Sequence, residues 1–137
     1  MTMIEIQATV LQPVQKVWQY WNEPSHIIKW NAASEDWHTT KATNDLRVGG
    51  KLQSRMEAKD GSMGFDFGGI YDEVTEYQRI AYTLGDGRKV EIDFVELSPT
   101  ETKIIEKFEP EQQNDPAMQQ AGWQAILNNF KSYAEAL

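Results

Sequence analysis

The chain has 137 residues, 40% of them hydrophobic and 25% charged, with no cysteine and a formal net charge of −8. That length is one domain, residues 1–137, with enough chain to bury a real core. The lack of cysteine excludes disulfides, thiolate metal sites and cysteine nucleophiles, and the acidity disfavours nucleic acid and anionic membrane surfaces as partners.

Taken in chain order, residues 3–11 alternate, with Ile4, Ile6, Ala8 and Val10 on one parity, the pattern of a half-buried strand. No basic region or apolar run at this end reads as a signal peptide, so the expected location is the cytoplasm. Pro13 suits the first turn of a helix. Val14, Val17, Trp18 and Trp21 then form an apolar helical stripe. Asn22-Glu23-Pro24 breaks that helix and starts a second short one that ends near Trp30.

From residue 36 the punctuation changes. Gly49-Gly50, Asp60-Gly61, Gly85-Asp86-Gly87 and Ser98-Pro99 are turn signals. Between them the runs 36–43, 50–58, 64–75, 79–84, 88–97 and 100–109 have strand character, and such short turns join antiparallel neighbours. With the first strand this makes about seven strands. Asp115-Pro116 reads as an N-cap followed by a proline at the first helical position. Trp123, Ile126, Leu127, Phe130, Tyr133 and Ala134 recur at helical spacing behind it. The expected fold is therefore α+β: a curved antiparallel sheet wrapped around a long C-terminal helix, with two short helices after the first strand. A sheet curled around one helix commonly leaves an interior cavity. Trp123 and Phe130, two turns apart, are expected to face the sheet together.

Several segments resemble the activator-of-heat-shock-protein-ATPase homologue family, within the START-like, birch-pollen-allergen-like SRPBCC superfamily. They are Ala8-Thr9-Val10 with Pro13-Val14-Gln15-Lys16-Val17-Trp18, Pro24-Ser25-His26 leading to Trp30, and Asp45-Leu46-Arg47-Val48-Gly49-Gly50. Phe67-Gly68-Gly69-Ile70-Tyr71-Asp72-Glu73-Val74, Arg79-Ile80-Ala81-Tyr82-Thr83 and Gly122-Trp123 with Leu127 and Tyr133 continue the match. The resemblance implies a helix-grip fold over nearly the whole chain. Its motifs are structural and not catalytic, and fold does not fix function. Two departures stand out. Trp30 runs into Asn31-Ala32-Ala33-Ser34-Glu35-Asp36-Trp37-His38 where many relatives carry an aromatic and a Gly-Pro-type segment, a feature of a small, mostly bacterial branch. The additional N-terminal domain of the eukaryotic activators is not expected here.

Among candidate site residues Glu106 comes first. It shares parity with Ile104 and Phe108, which turns it inward; if Ile105 marks the inward face instead, Glu106 is solvated. An inward carboxylate needs a partner or a raised pKa, and Arg55 on the run 50–58 is the candidate partner. In the partnered case, Arg55→Ala alone is expected to destabilise more than the double change. His38 is a candidate general acid or base with Asp36 or Asp45 orienting it, against the reading of a structural strand histidine. His26 is given no chemical role. No spacing demands a metal, and no cofactor is expected. Gly49-Gly50 and Gly68-Gly69 lack the following helix and Lys-Ser/Thr of a phosphate loop, and read as a hairpin turn and close packing of sheet on helix. Met56, Met63, Phe65, Phe67, Tyr71 and Tyr82 cluster on neighbouring strands and suit a cavity for a flat apolar ligand.

The expected ligand cavity is lined by Trp30, Trp37, His38, Arg55, Met56, Phe67, Tyr82, Glu106, Trp123 and Leu127. Its expected occupant is a small hydrophobic or aromatic molecule, with Glu106, Arg55 or Tyr82 orienting a polar end. Two other functions stay open: a cyclase- or hydratase-like enzyme using the cavity carboxylate, and a chaperone ATPase co-regulator acting through an exposed protein interface. Monomer and homodimer both remain open.

Overall fold

The computed structural model describes residues 2–137. The elements follow the order β1 (Ile4–Val10), α1 (Val14–Asn22), α2 (Pro24–Trp30), β2 (Trp37–Asn44), β3 (Lys51–Ala58), β4 (Gly64–Thr75), β5 (Arg79–Leu84), β6 (Lys89–Ser98), β7 (Glu101–Phe108) and α3 (Pro116–Glu135). The expected α+β architecture is observed, and each sequence-predicted run lies within a residue or two of an element. Pro13 stands one place earlier than expected: it is the N-cap of α1, and its carbonyl accepts from the amides of Lys16 and Val17. Asp115 caps α3 by accepting from the Ala117 amide, with Pro116 at the first helical position.

The sheet has seven strands in the order β1-β7-β6-β5-β4-β3-β2, every pair antiparallel. The meander β2–β7 is thus closed by β1 returning to lie beside β7. Inward-facing residues alternate along each strand: Ile80 and Tyr82 on β5, Val90, Ile92 and Phe94 on β6, Ile104 and Phe108 on β7. In β4, a side chain at Gly68 would run into the Leu52 carbonyl of β3, and one at Gly69 into the Thr83 carbonyl of β5. These glycines therefore serve the approach of strand on strand, not the packing of sheet on helix expected from sequence. Gly49 takes a positive φ of 82° in the turn before β3, a conformation that suits glycine.

The packing of α3 changes along its length. Its C-terminal half is sealed: Leu127, Phe130 and Ala134 are fully buried. Trp21 and Trp30 meet Phe130 edge-on at 4.9 Å, which locks α1, α2 and α3 together. Lys131 Nζ donates to the Thr9 carbonyl of β1 at 2.6 Å. The N-terminal half is different. From Pro116 to Ile126 no residue is fully buried, and Trp123 and Ile126 are only half-buried. There the helix stands off the concave face and leaves a hollow.

Candidate functional site

That hollow is a cavity of about 320 Å³ between the sheet and the N-terminal half of α3. Trp123 and Ile126 form its helical wall, while Trp21, Ile27 and Trp30 close one end. The sheet supplies Met56, Phe67, Tyr71, Ile80, Tyr82 and Glu106. Trp123 lies flat against Phe108 at 4.0 Å and meets Phe67 edge-on, so its ring is held as a rigid wall. Polar groups gather at the rim. Arg88 is held there by Asp86 Oδ2 at 2.7 Å, and Gln119 bridges the backbone of Glu111 and Asn114.

Glu106 points inward and is 6% exposed. Its cross-strand neighbours are Ile6 and Ile92, both at most 2% exposed. Nothing among the described residues pairs with its carboxyl, and burial alone pushes its pKa up to about 8. Burial favours the neutral carboxylic acid over the carboxylate. The Tyr82 hydroxyl is likewise unpartnered; burial, with lesser contributions from Glu106 and Tyr71, raises its pKa well above the ordinary value. Tyr71 crosses Tyr82 at 5.9 Å, almost perpendicular, and its hydroxyl is committed to Asn44 Oδ1 at 2.7 Å. Asn44 in turn donates to the Asn22 carbonyl, and Asn22 Nδ2 to the Trp18 carbonyl. Asn22 Oδ1 is buried without a partner.

Of the ten sequence-predicted cavity residues, the structure brings six to the wall: Trp30, Met56, Phe67, Tyr82, Glu106 and Trp123. Four lie elsewhere. Ser54, Met56 and Ala58 take the inward parity of β3, which sends Arg55 to the opposite face; there it pairs with Glu57 at 3.0 Å and Asp66 at 3.6 Å. Arg55 therefore does not meet Glu106. His38 is opposite Glu57 on β2 and bonds to neither Asp36 nor Asp45, because the buried neighbour Thr39 takes the inward position. Trp37 packs against Phe65 at 5.8 Å, off the cavity wall. Leu127, one turn beyond Trp123, is sealed in the core. Met63, grouped by sequence with the cavity aromatics, is 65% exposed. His26 bonds through Nδ1 to the Tyr133 hydroxyl at 2.6 Å, tying α2 to α3. Among the described residues, no three His, Cys, Asp or Glu side chains gather as metal ligands.

Because Arg55 and Glu106 sit on opposite faces, their substitutions are expected to be additive. A double-mutant cycle on Arg55→Ala and Glu106→Gln, followed by urea denaturation, should give no coupling beyond error. This replaces the stranded-charge effect expected from the sequence.

A curled sheet around one helix, hollow along half the helix, defines a helix-grip domain. A family model described as activator of Hsp90 ATPase homolog 1-like protein matches residues 12–135, and the chain belongs to that family. A solution structure of an AHSA1-like protein from Aeromonas hydrophila is 47% identical, with a TM-score of 0.92 over 98% of this chain and 93% of that one. A solution structure of a protein from Cytophaga hutchinsonii is 54% identical, with a TM-score of 0.84 over 98% and 92%. A Chromobacterium violaceum protein shares the fold at 24% identity, with a TM-score of 0.84 over 98% and 99%. No curated protein matches the chain. No helix among the described residues is long and apolar enough to cross a membrane.

Proposed function

We propose that residues 1–137 act as one domain that binds a small, mostly hydrophobic or aromatic molecule in the cavity between the curved sheet and α3. The observation that carries this reading is the hollow itself: about 320 Å³, walled by aromatic rings and holding one uncommitted carboxyl and one uncommitted hydroxyl. Ligand pockets have this character, a mainly apolar wall with a few polar groups that fix orientation, over roughly 300–1,000 Å³. The volume lies at the small end, which suits a compact aromatic body better than a long acyl chain.

Three tryptophans border the cavity, so a ligand entering it should change the intrinsic fluorescence. It should also raise the melting temperature, because a ligand that binds only the folded state stabilises it by mass action. At about 100 times its dissociation constant the gain is ~2.7 kcal/mol. Affinity should depend weakly on salt, since an apolar contact is not screened. A panel of polyphenols, fatty acids and sterol-like compounds is the test. If none moves either signal while a chaperone ATPase binds and is accelerated, the ligand reading gives way to that of a chaperone co-regulator.

A second reading is supported by Glu106 itself. A buried acid titrating at about 8 is poised for general acid or base work near neutral pH. In a hydratase- or cyclase-like reaction, Glu106→Gln should abolish turnover while binding persists.

A further inference from the structure

We infer that Arg88 selects the ligand: the cavity takes a small aromatic carboxylic acid, its ring inward against Trp123 and its carboxylate outward on the Arg88 guanidinium at the rim. The inference rests on the ligand-binding reading and names its ligand class.

Arg88 ends the turn between β5 and β6. Val90, Ile92 and Phe94 are the inward residues of β6, and Arg88 stands two places before Val90 on the same parity. Its side chain accordingly reaches the cavity, where it is the only lysine or arginine on the wall among the described residues. Two bonds aim it. Asp86 Oδ2 accepts from Nε at 2.7 Å, and the Glu109 carbonyl accepts from Nη1 at 3.5 Å. Asp86 is fixed in turn, because its Oδ1 accepts from the Arg88 amide. A guanidinium carries five N–H donors and accepts nothing. These bonds use two of them, and Nη2 has no partner among the described residues. The far end of the fork is left for a carboxylate, which it fits with two parallel bonds. The neighbouring rim has no such reserve. Gln119 spends its amide on the Glu111 backbone and the Asn114 carbonyl, and Asn114 Nδ2 donates to the Glu111 carboxylate.

The strand register says which way an acid must point. Phe108, on which Trp123 stacks, pairs with Val90 of β6. Arg88 lies two residues from Val90 toward the mouth, and Ile92, the partner of Glu106, lies two residues from it toward the interior. Each step is roughly 7 Å of strand. A ring seated against Trp123 can therefore extend its acid group to either level. At the inner level the carboxylate would meet the buried Glu106 carboxyl between Ile6 and Ile92, with no cation to pair it. An unpaired buried charge is costly. At the outer level it meets Arg88, whose side chain is 25% exposed, so water still shares the cost of the pair. The apolar ring enters first and the charge stays at the rim.

The test uses the full chain and three ligands of matched shape: naphthylacetate, naphthylacetamide and naphthylethylamine. Tryptophan quenching and melting shifts give the affinities. The acid is expected to bind about tenfold tighter than the amide, the usual gain of a charge-assisted bond over a neutral one, and tighter still than the amine. Arg88→Met should erase the difference between acid and amide. Arg88→Lys, which keeps the charge but not the fork, should restore part of it. In the parent protein the Arg88 Nε–H resonance should shift when the acid binds and stay in place with the amide, a signature that a merely structural arginine would not give. Equal binding of acid and amide, or an Arg88→Met loss shared by both, overturns the inference while leaving ligand binding in place. An amine that binds best overturns it too, since the carboxyl at the inner level would then be recognising a cation. If all three ligands leave both signals unchanged, the ligand-binding reading falls as well.

Discussion

Phe130→Ala is expected to cost the fold about 3–5 kcal/mol, the usual loss when a large aromatic leaves a packed core. Phe130 is fully buried on α3, with Trp21 and Trp30 each edge-on at 4.9 Å. Three helices share this one ring, so the gap left by alanine cannot close without moving an element. The sequence placed Trp123 in the same position, two turns earlier on the same stripe. The structure separates the two. Trp123 has one face on Phe108 and sides the cavity, where removing it enlarges a space that already exists. Trp123→Ala should therefore destabilise less than Phe130→Ala and weaken ligand binding more. Urea denaturation of both variants at matched pH checks the order. Equal losses would mean that α3 is gripped uniformly along its length and that the hollow is not built by its N-terminal half.

The contrast between these two rings shows what periodicity makes legible. The 3.6-residue stripe says which face of α3 turns toward the sheet; it says nothing about how closely each turn of the helix approaches it. That distance is set by the curl of the sheet, which depends on strand-to-strand approaches at Gly68 and Gly69 and on register shifts such as that between Tyr71 and Glu73. Strand parity served better. Ile104 and Phe108 placed Glu106 inward, and the register from Val90–Phe108 to Glu96–Thr102 runs without a bulge past it. The same parity was available for Arg55: Met56, its apolar neighbour, takes the inward side, so Arg55 faces out. Opposite charge suggested a partnership that alternation forbids. Trp21 was read as core from its stripe, and it also closes the end of the cavity. The chain from Tyr71 through Asn44 to Asn22 had no local signal, since its members lie 27 and 22 residues apart in sequence.

Glu106→Gln is expected to stabilise the protein at alkaline pH and to change little at acid pH. The sign follows from the proton count. Burial raises the folded-state pKa from 4.5 to about 8. Between those values the folded protein holds a proton that the unfolded chain has released, so stability falls as pH rises. Below about pH 4.5 both states are protonated, and the buried group carries no ionisation penalty. Above about pH 8 both are ionised, and the full cost of the buried charge is present. Glutamine has nearly the same shape and never ionises. The stability difference between variant and parent should therefore be small near pH 4.5, grow through neutral pH and level off above about pH 8. Its plateau should be roughly 2–5 kcal/mol, since one unit of pKa shift corresponds to about 1.4 kcal/mol. Comparing the two proteins at each pH cancels the repulsion among the many surface carboxylates, which both share. Urea denaturation at half-unit steps of pH is the measurement. A difference that stays constant with pH would show that Glu106 ionises as freely in the folded cavity as in the unfolded chain. In that case the cavity is wet around the carboxyl, and Glu106 is an acceptor, not a donor, at neutral pH.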